Sequence, residues 1–251
     1  MIGGKSGASS KVYGCRLPYG SFGGIDMRIC HGAESEPDAD TGVTLSSSSQ
    51  SATHSSIDSA MTERRELRRL MRARRRALRP GQQRRAARLL AQRMVRQPWY
   101  VRAGSIAAYI AADGEVDPAA LIRRALKDGK RIYLPRLLSG NRLAFAEYRA
   151  GDRLRRNRFG IPEPLGACAV PLRKLDVVLL PLVAFDRRGN RLGMGGGFYD
   201  RTFAPRGRGR VSAPRLIGLA HGFQQVAELV DQPWDVPLRG VLTDSGWLET
   251  R

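Results

Sequence analysis

Cysteine and histidine are scarce in this chain, with three of each in 251 residues. Cys15, Cys30 and Cys168 form an odd set without CxxC spacing, which excludes a disulfide framework and a zinc site of the usual ligand pattern. Lysine is short as well. The 43 basic residues comprise five lysines and 38 arginines, a skew that points to codon bias as much as to any binding requirement. No run approaches the roughly 18 apolar residues that span a bilayer, and the first residues lack the apolar core of a secretory signal. The chain therefore reads as cytoplasmic, with no membrane partner. What is present is a globular composition, 42% hydrophobic, in a length that fits one large domain or two small ones.

Charge is unevenly distributed. Residues 1–60 carry four basic and six acidic side chains, a net of −2, so residues 61–251 carry +22 of the total of +20. The first 60 residues show no sustained periodicity and end near a serine run, which predicts a disordered extension. Met61 opens a strongly periodic segment, so the expected alternative is a mis-assigned start, with 61–251 as the folded domain. Over 61–96, 14 arginines face only Glu63 and Glu66. Leu67, Leu70, Met71, Leu89, Leu90 and Met94 form an apolar stripe with the arginines mainly outside it, which predicts a solvated basic face on a core-packed helix. An RNA-binding use of this helix is the alternative functional class. The chain carries no aromatic RNA-binding motif, and specific nucleic-acid binding is not expected.

Pattern and breakers predict helices over 63–78 and 82–96, separated by Pro80-Gly81, then a strand over 105–110. Asp117-Pro118 opens a helix that ends at Asp128-Gly129, and residues 131–134 resume as strand. Strand, helix, strand in about 30 residues is a βαβ unit with parallel pairing. Further strands are expected over 143–148, 176–180, 216–220 and 241–243. The fold class is α/β: a single-domain, three-layer α/β/α arrangement around a mainly parallel sheet.

The segment 183–201, VAFDRRGNRLGMGGGFYDR, holds five glycines and four arginines directly after the apolar stretch 176–182. Glycines admit positive φ and bring bare N–H groups close to an anion, and a helix starting just beyond them adds its positive dipole end. The segment lacks the Lys-Ser/Thr end of the common nucleotide loop, and Phe198 stands where a dinucleotide fingerprint wants Gly or Ala. On spacing alone it reads equally as a phosphate cradle or a structural turn.

The whole segment closely resembles the signature of the 5-formyltetrahydrofolate cyclo-ligase family, also called 5,10-methenyltetrahydrofolate synthetase, in its bacterial form. GEVD at 114–117, KRIYLP at 130–135, FGIPEP at 159–164 and WDVPL at 234–238 extend the resemblance over about 61–246. It implies a three-layer α/β/α domain and an ATP-dependent closure of 5-formyltetrahydrofolate, including polyglutamylated forms, to 5,10-methenyltetrahydrofolate with release of ADP and phosphate. Such chemistry asks for positioning and positive charge with no Ser, Cys or His nucleophile, which suits the scarcity noted above.

Carried over by motif, Arg64, Arg65 and Arg68 resemble the family's ATP-binding basic cluster, with Arg64 in place of the usual lysine. Arg191, Leu192, Gly193, Met194, Gly195, Gly196, Gly197, Phe198 and Tyr199 resemble the nucleotide loop, with Met194 and Phe198 also approaching the folate. Asp200 resembles the Mg²⁺ ligand, Glu115 the folate-contacting glutamate, and Tyr109 and Ile110 the lining of the same pocket. Arg191 and Glu115 are the expected catalytic residues. Two departures stand out: Gly196 where some relatives have lysine, and Arg239 where some have a second metal-linked acid. Read without the resemblance, Asp200 is a helix-start carboxylate paired with Arg201, and His221 is structural. The basic surface would raise the local concentration of polyanions such as ATP and folates.

Overall fold

Helix α1, Ser49–Arg76, opens the part of the chain that the computed structural model describes, namely residues 49–165, 169–204 and 214–250, with side chains from 61 onward. It starts well before the expected position at 63, because no Gly or Pro interrupts residues 49–61. The three cysteines and the serine run up to 48 lie outside the described residues, as does most of the expected extension over 1–60. Helix α2, Pro80–Met94, begins at the Pro-Gly pair that was expected to be a break. Proline at the first helical position loses no needed N–H, and the Gln82 side chain accepts from the Arg79 N–H at 2.9 Å, so the pair starts the helix.

A short α3, Pro98–Arg102, leads into β1, Ser105–Ala107. This strand is half the expected length: after Ala108 donates to the Tyr133 carbonyl at 2.9 Å, the chain leaves the sheet. Helix α4, Ala119–Lys127, starts one residue later than expected, with Pro118 in the N-cap position, and Asp117 Oδ1 just before it accepts from the Ala119 N–H at 2.9 Å. It ends at Asp128, followed by Gly129 at φ 75°. Strands β2, Arg131–Leu138, and β3, Arg142–Tyr148, form an antiparallel hairpin. Then come β4, Leu154–Arg156, β5, Pro162–Pro164, β6, Ala169–Val170, and β7, Val177–Pro181. A small ribbon of β8, Ala184–Phe185, and β9, Arg191–Leu192, precedes α5, Phe198–Phe203. Strands β10, Arg215–Ala220, β11, Gly240–Thr243, and β12, Trp247–Glu249, complete the order.

The main sheet has the order β12-β11-β10-β7-β1-β2-β3-β6. Its five central strands are parallel, including the β1-α4-β2 crossover, and its outer strands add antiparallel. Alternation along the strands sends residues to two cores. Ile106, Val177, Leu179, Ile217 and Leu219 face Leu90, Met94, Leu121 and Ala125 of α2 and α4. Val178, Leu180, Leu216 and Val241 face the opposite side, with Phe145, Phe185 and the α5 aromatics. Both faces are covered, as the α/β class requires, and each fully buried leucine contributes about 1.5–3 kcal/mol of burial.

Candidate active site

Three connections leave the C-terminal ends of parallel strands on one edge of the sheet: residues 108–118 after β1, 182–197 after β7, and 221–226 after β10. Open parallel sheets bind ligands at such an edge. Helix α1 lies across it and supplies the basic side chains.

Arg64, Arg68, Arg72 and Arg75 follow a 4-4-3 spacing, which aligns them on one helical face. That face turns inward, while Arg65, Arg69, Arg74 and Arg76 form the expected solvated face, so only part of the arginines lies outside the packed side of the helix. Arg64 donates to the Val230 carbonyl at 2.5 Å and pairs with Asp235 at 3.5 Å. Arg68 Nε donates to the Gly193 carbonyl at 2.9 Å, and burial beside Arg64 holds its guanidinium below the ordinary arginine value. Arg72 and Arg75 donate to Asp113 Oδ2 at 2.7 and 2.8 Å, and Arg76 approaches Oδ1 at 3.1 Å. Arg75 is 0% exposed. Arg65 is exposed and takes no part in these contacts, and Leu70, expected in the apolar stripe, is 53% exposed. Leu67 and Met71 do pack inward, against Val183, Ala184 and Leu192.

Asp113 and Gly114 both adopt positive φ, 49° and 74°. Gly114 lies against the Arg75 backbone, where a Cβ would come within 2.9 Å of its carbonyl, so only glycine fits. The tight turn delivers Glu115, whose Oε2 accepts from the Ala112 N–H at 3.0 Å. Burial raises the Glu115 carboxyl to about 7, against the opposing pull of that N–H and of Arg75. Tyr109 is buried and donates to the Val116 carbonyl at 2.7 Å, while Ile110 is half-buried beside it. Burial first, then the Glu115 carboxylate, raises the phenols of both Tyr109 and Tyr199. Glu115 and the end of the glycine loop, far apart in sequence, are therefore electrostatic neighbours.

The loop is held from below by Asp186. Its buried carboxylate accepts N–H bonds from Arg188, Asn190 and Leu229 at 2.9–3.0 Å, and one from the Asn190 amide. Arg191 is 8% exposed; it donates to the Val236 carbonyl and to Asp200 Oδ1. Burial lowers its pKa and the Asp200 charge opposes that. Asp200 thus pairs with Arg191, and Arg201 instead donates to the Gly196 carbonyl at 2.5 Å. Gly195 and Gly197 take φ 98° and 62°, the second capping α5. At Gly196 a Cβ would come within 2.7 Å of the Phe198 ring. That ring meets Phe159 edge-on at 5.8 Å, while Tyr199 stacks on Phe203 and Leu192 is core. Met194 is half exposed at the loop tip.

His221, left without a role by the sequence, is buried after β10. Its Nε2 lies 3.4 Å from the Gly114 carbonyl and its ring stacks on Phe223. Sequence reasoning also passed over Arg75, Asp113, Asp186, Asp235 and Phe159. For Arg75 the 4-4-3 spacing shows only that it shares a face with Arg64, Arg68 and Arg72; its inward turn depends on Asp113. Asp186 and Asp113 carry the local signature of Asp turns, closed by the Arg188 and Asn190 N–H groups in the first and followed by Gly114 in the second, whereas Asp235 and Phe159 meet the site through tertiary contacts. Among the described residues no cluster of three or more His, Cys, Asp or Glu forms a ready metal cage. Asp200 nonetheless fits a hard cation that takes one carboxylate and completes its shell with phosphate oxygens and water.

Fold and site together define an α/β protein with a glycine loop, inward arginines and a buried carboxylate at one sheet edge. Residues 60–244 match the 5-formyltetrahydrofolate cyclo-ligase family, and the chain belongs to it. It is 42% identical over 180 residues to the 5-formyltetrahydrofolate cyclo-ligase of Escherichia coli strain K12, covering 70% of this chain and 97% of that protein. The Haemophilus influenzae 5-formyltetrahydrofolate cyclo-ligase is 44% identical over 145 residues, 56% of this chain and 76% of its own length. Among solved structures, the Aquifex aeolicus 5,10-methenyltetrahydrofolate synthetase superposes with a TM-score of 0.66 at 30% identity, over 75% of this chain and 93% of that one.

Proposed function

We propose that this chain is an ATP-dependent cyclo-ligase that converts 5-formyltetrahydrofolate to 5,10-methenyltetrahydrofolate, releasing ADP and phosphate. The observation that carries the reading is the meeting of three features at one edge: the inward arginines of α1, the loop 193–197 and the Glu115 carboxyl. A formamide carbon is a poor electrophile and its oxygen a poor leaving group. Transfer of the γ-phosphoryl to that oxygen remedies both. The 10-nitrogen then bonds to the carbon and gives up its proton, to the departing phosphate or to solvent, the carbon–oxygen bond breaks, and phosphate leaves with the oxygen.

The N–H groups of Gly195 to Gly197 cradle the triphosphate, and Arg68, with Arg64 and Arg65 nearby, contributes charge. Asp200 is the residue to hold Mg²⁺, which would neutralise charge on the transferring phosphoryl group. Arg191 supports catalysis by fixing Asp200 and the 236 backbone. Glu115 accepts a hydrogen bond from a folate N–H, and a carboxyl near 7 suits a group that must take up and release a proton. Tyr109, Ile110, Met194 and Phe198 line the folate side. Polyglutamylated folates and the cytoplasm are the expected substrate pool and compartment. The RNA-binding alternative rested on the arginine-rich opening helix and the net charge, and the family match lends it no support.

The test is direct. The full chain, given ATP, Mg²⁺ and 5-formyltetrahydrofolate, should form methenyltetrahydrofolate, followed by its absorbance, and omission of ATP should stop it. Product formation that does not depend on ATP would contradict the assignment.

A further inference from the structure

Arg75 is the most completely enclosed charge in the described part of the protein. Its NH1 donates to the Leu182 carbonyl at the end of β7 at 3.0 Å, and its NH2 reaches Asp113 at 2.8 Å and the Met194 sulfur at 3.8 Å. Its Nε finds no acceptor. A buried guanidinium with one donor unmet is a poor device for stability alone, since an apolar side chain would fill the space without that penalty.

Its other contacts show what it does. The Arg75 backbone is the surface on which Gly114 rests, and Gln83 Nε2 bridges the Arg75 and Gly114 carbonyls at 3.3 and 3.0 Å. Asp113 and Gly114 are the two residues in left-handed conformation that aim Glu115. Arg75 therefore grips the residues just before Glu115 with one end of its guanidinium and the tip of the glycine loop with the same nitrogen.

We propose that Arg75 is a positioning residue that sets the Glu115 carboxyl against the glycine loop, acting through Asp113, Gly114 and Met194. The proposal rests on Glu115 as the carboxylate that meets the folate. Arg75 need not touch either substrate.

The electrostatics give a signature that mere structural support would lack. Four groups face Glu115: Arg75 from α1, Asp113 from its own turn, Tyr109 beyond β1, and Tyr199 from α5. Both phenols are raised and stay neutral at pH 7, and burial keeps the nearby His221 low. Arg75 pulls the Glu115 carboxyl down and Asp113 pushes it up. Loss of the two partners should thus move the acid limb of the rate profile in opposite directions.

The experiment is the pH dependence of kcat for the full chain, with thermal melts recorded alongside. Arg75→Met should lower kcat at pH 7 by roughly 10- to 100-fold and shift the acid limb to higher pH. Asp113→Asn should shift the limb to lower pH, and Arg75→Lys, which keeps the charge, should hold the limb near its wild-type position. If Arg75→Met fails to fold, the Asp113→Asn and Arg75→Lys profiles decide the matter. A limb unmoved in folded Arg75→Met or in Asp113→Asn, a limb moved in the same direction by both, or a limb displaced in Arg75→Lys as far as in Arg75→Met would overturn the proposal. Glu115→Gln separates the two readings. Wild-type kcat and an unchanged limb in that variant would overturn the Glu115 reading and this proposal with it, whereas an inactive Glu115→Gln beside unmoved limbs elsewhere would overturn the proposal alone.

Discussion

Helices α1 and α2 are both arginine-rich, and they set their side chains to opposite tasks. In α2 the residues that face the protein are Ala86, Leu90 and Met94, spaced by four, while Arg84, Arg85 and Arg88 point to solvent. In α1 the face at a 4-4-3 spacing is occupied by Arg64, Arg68, Arg72 and Arg75, and these meet Val230, Asp235, Gly193, Asp113 and Leu182. Leu67 and Met71 supply a narrower apolar seam beside them. Net charge does not distinguish the two helices; the phase of the arginines relative to the fold does. One helix covers a core, and the other brings cations to the sheet edge where the loops converge.

This contrast can be broken most severely at Gly114, the seat of α1. Gly114→Ala adds a Cβ that collides with the Arg75 backbone at a left-handed φ. It should cost about 1–3 kcal/mol in stability and on the order of 100-fold in kcat, read by melts and steady-state rates. On α2 the effects should separate. Leu90→Ala, in the fully buried core, should cost about 2–5 kcal/mol by denaturant titration while the folded enzyme keeps its kcat and KM within about twofold.

A smaller effect is expected at Arg68. Arg68→Ala removes a charge beside the loop and should raise the KM for ATP about tenfold, with stability changed by no more than about 1 kcal/mol. The smallest expected effect concerns Glu115. Its folded pKa, about 7, lies above the ordinary 4.5, so the unfolded chain releases its proton first as pH rises. Stability from this group is complete below about 4.5 and is lost as pH climbs through about 7. Glu115→Gln should therefore be more stable than wild type at pH 8 by about 1–2 kcal/mol, and no more stable at pH 4. A melt series across pH checks it.

Much of the fold was legible because it is local. The βαβ unit at 105–134, the helix after Asp117 and the apolar strands at 176–180 and 216–220 follow from periodicity and breakers. Where reading and structure diverge, a tertiary partner decides. Residues 108–110 are apolar enough to continue β1, yet the chain turns out of the sheet to place Glu115. Asp200 has Arg201 next to it in sequence and pairs with Arg191 across the loop. Burial of Arg75 depends on Asp113, 38 positions later, so no window over the helix alone could turn it inward. The glycine loop was visible as a turn able to hold an anion. Its meeting with the α1 arginines was implied by the family resemblance alone, and no local pattern announces the Arg68–Gly193 contact.

The most direct measurement compares two variants that lose the same charge. Replacement of Arg64, Arg68 and Arg72 by Gln removes three cations from α1, and replacement of Arg84, Arg85 and Arg88 by Gln removes three from α2. Isothermal titration with ATP and Mg²⁺ at fixed ionic strength should show affinity weakened about 100-fold or more in the first and within about twofold of wild type in the second. Equal weakening in both would mean that overall charge, and not the inward phase of the α1 arginines, holds the nucleotide.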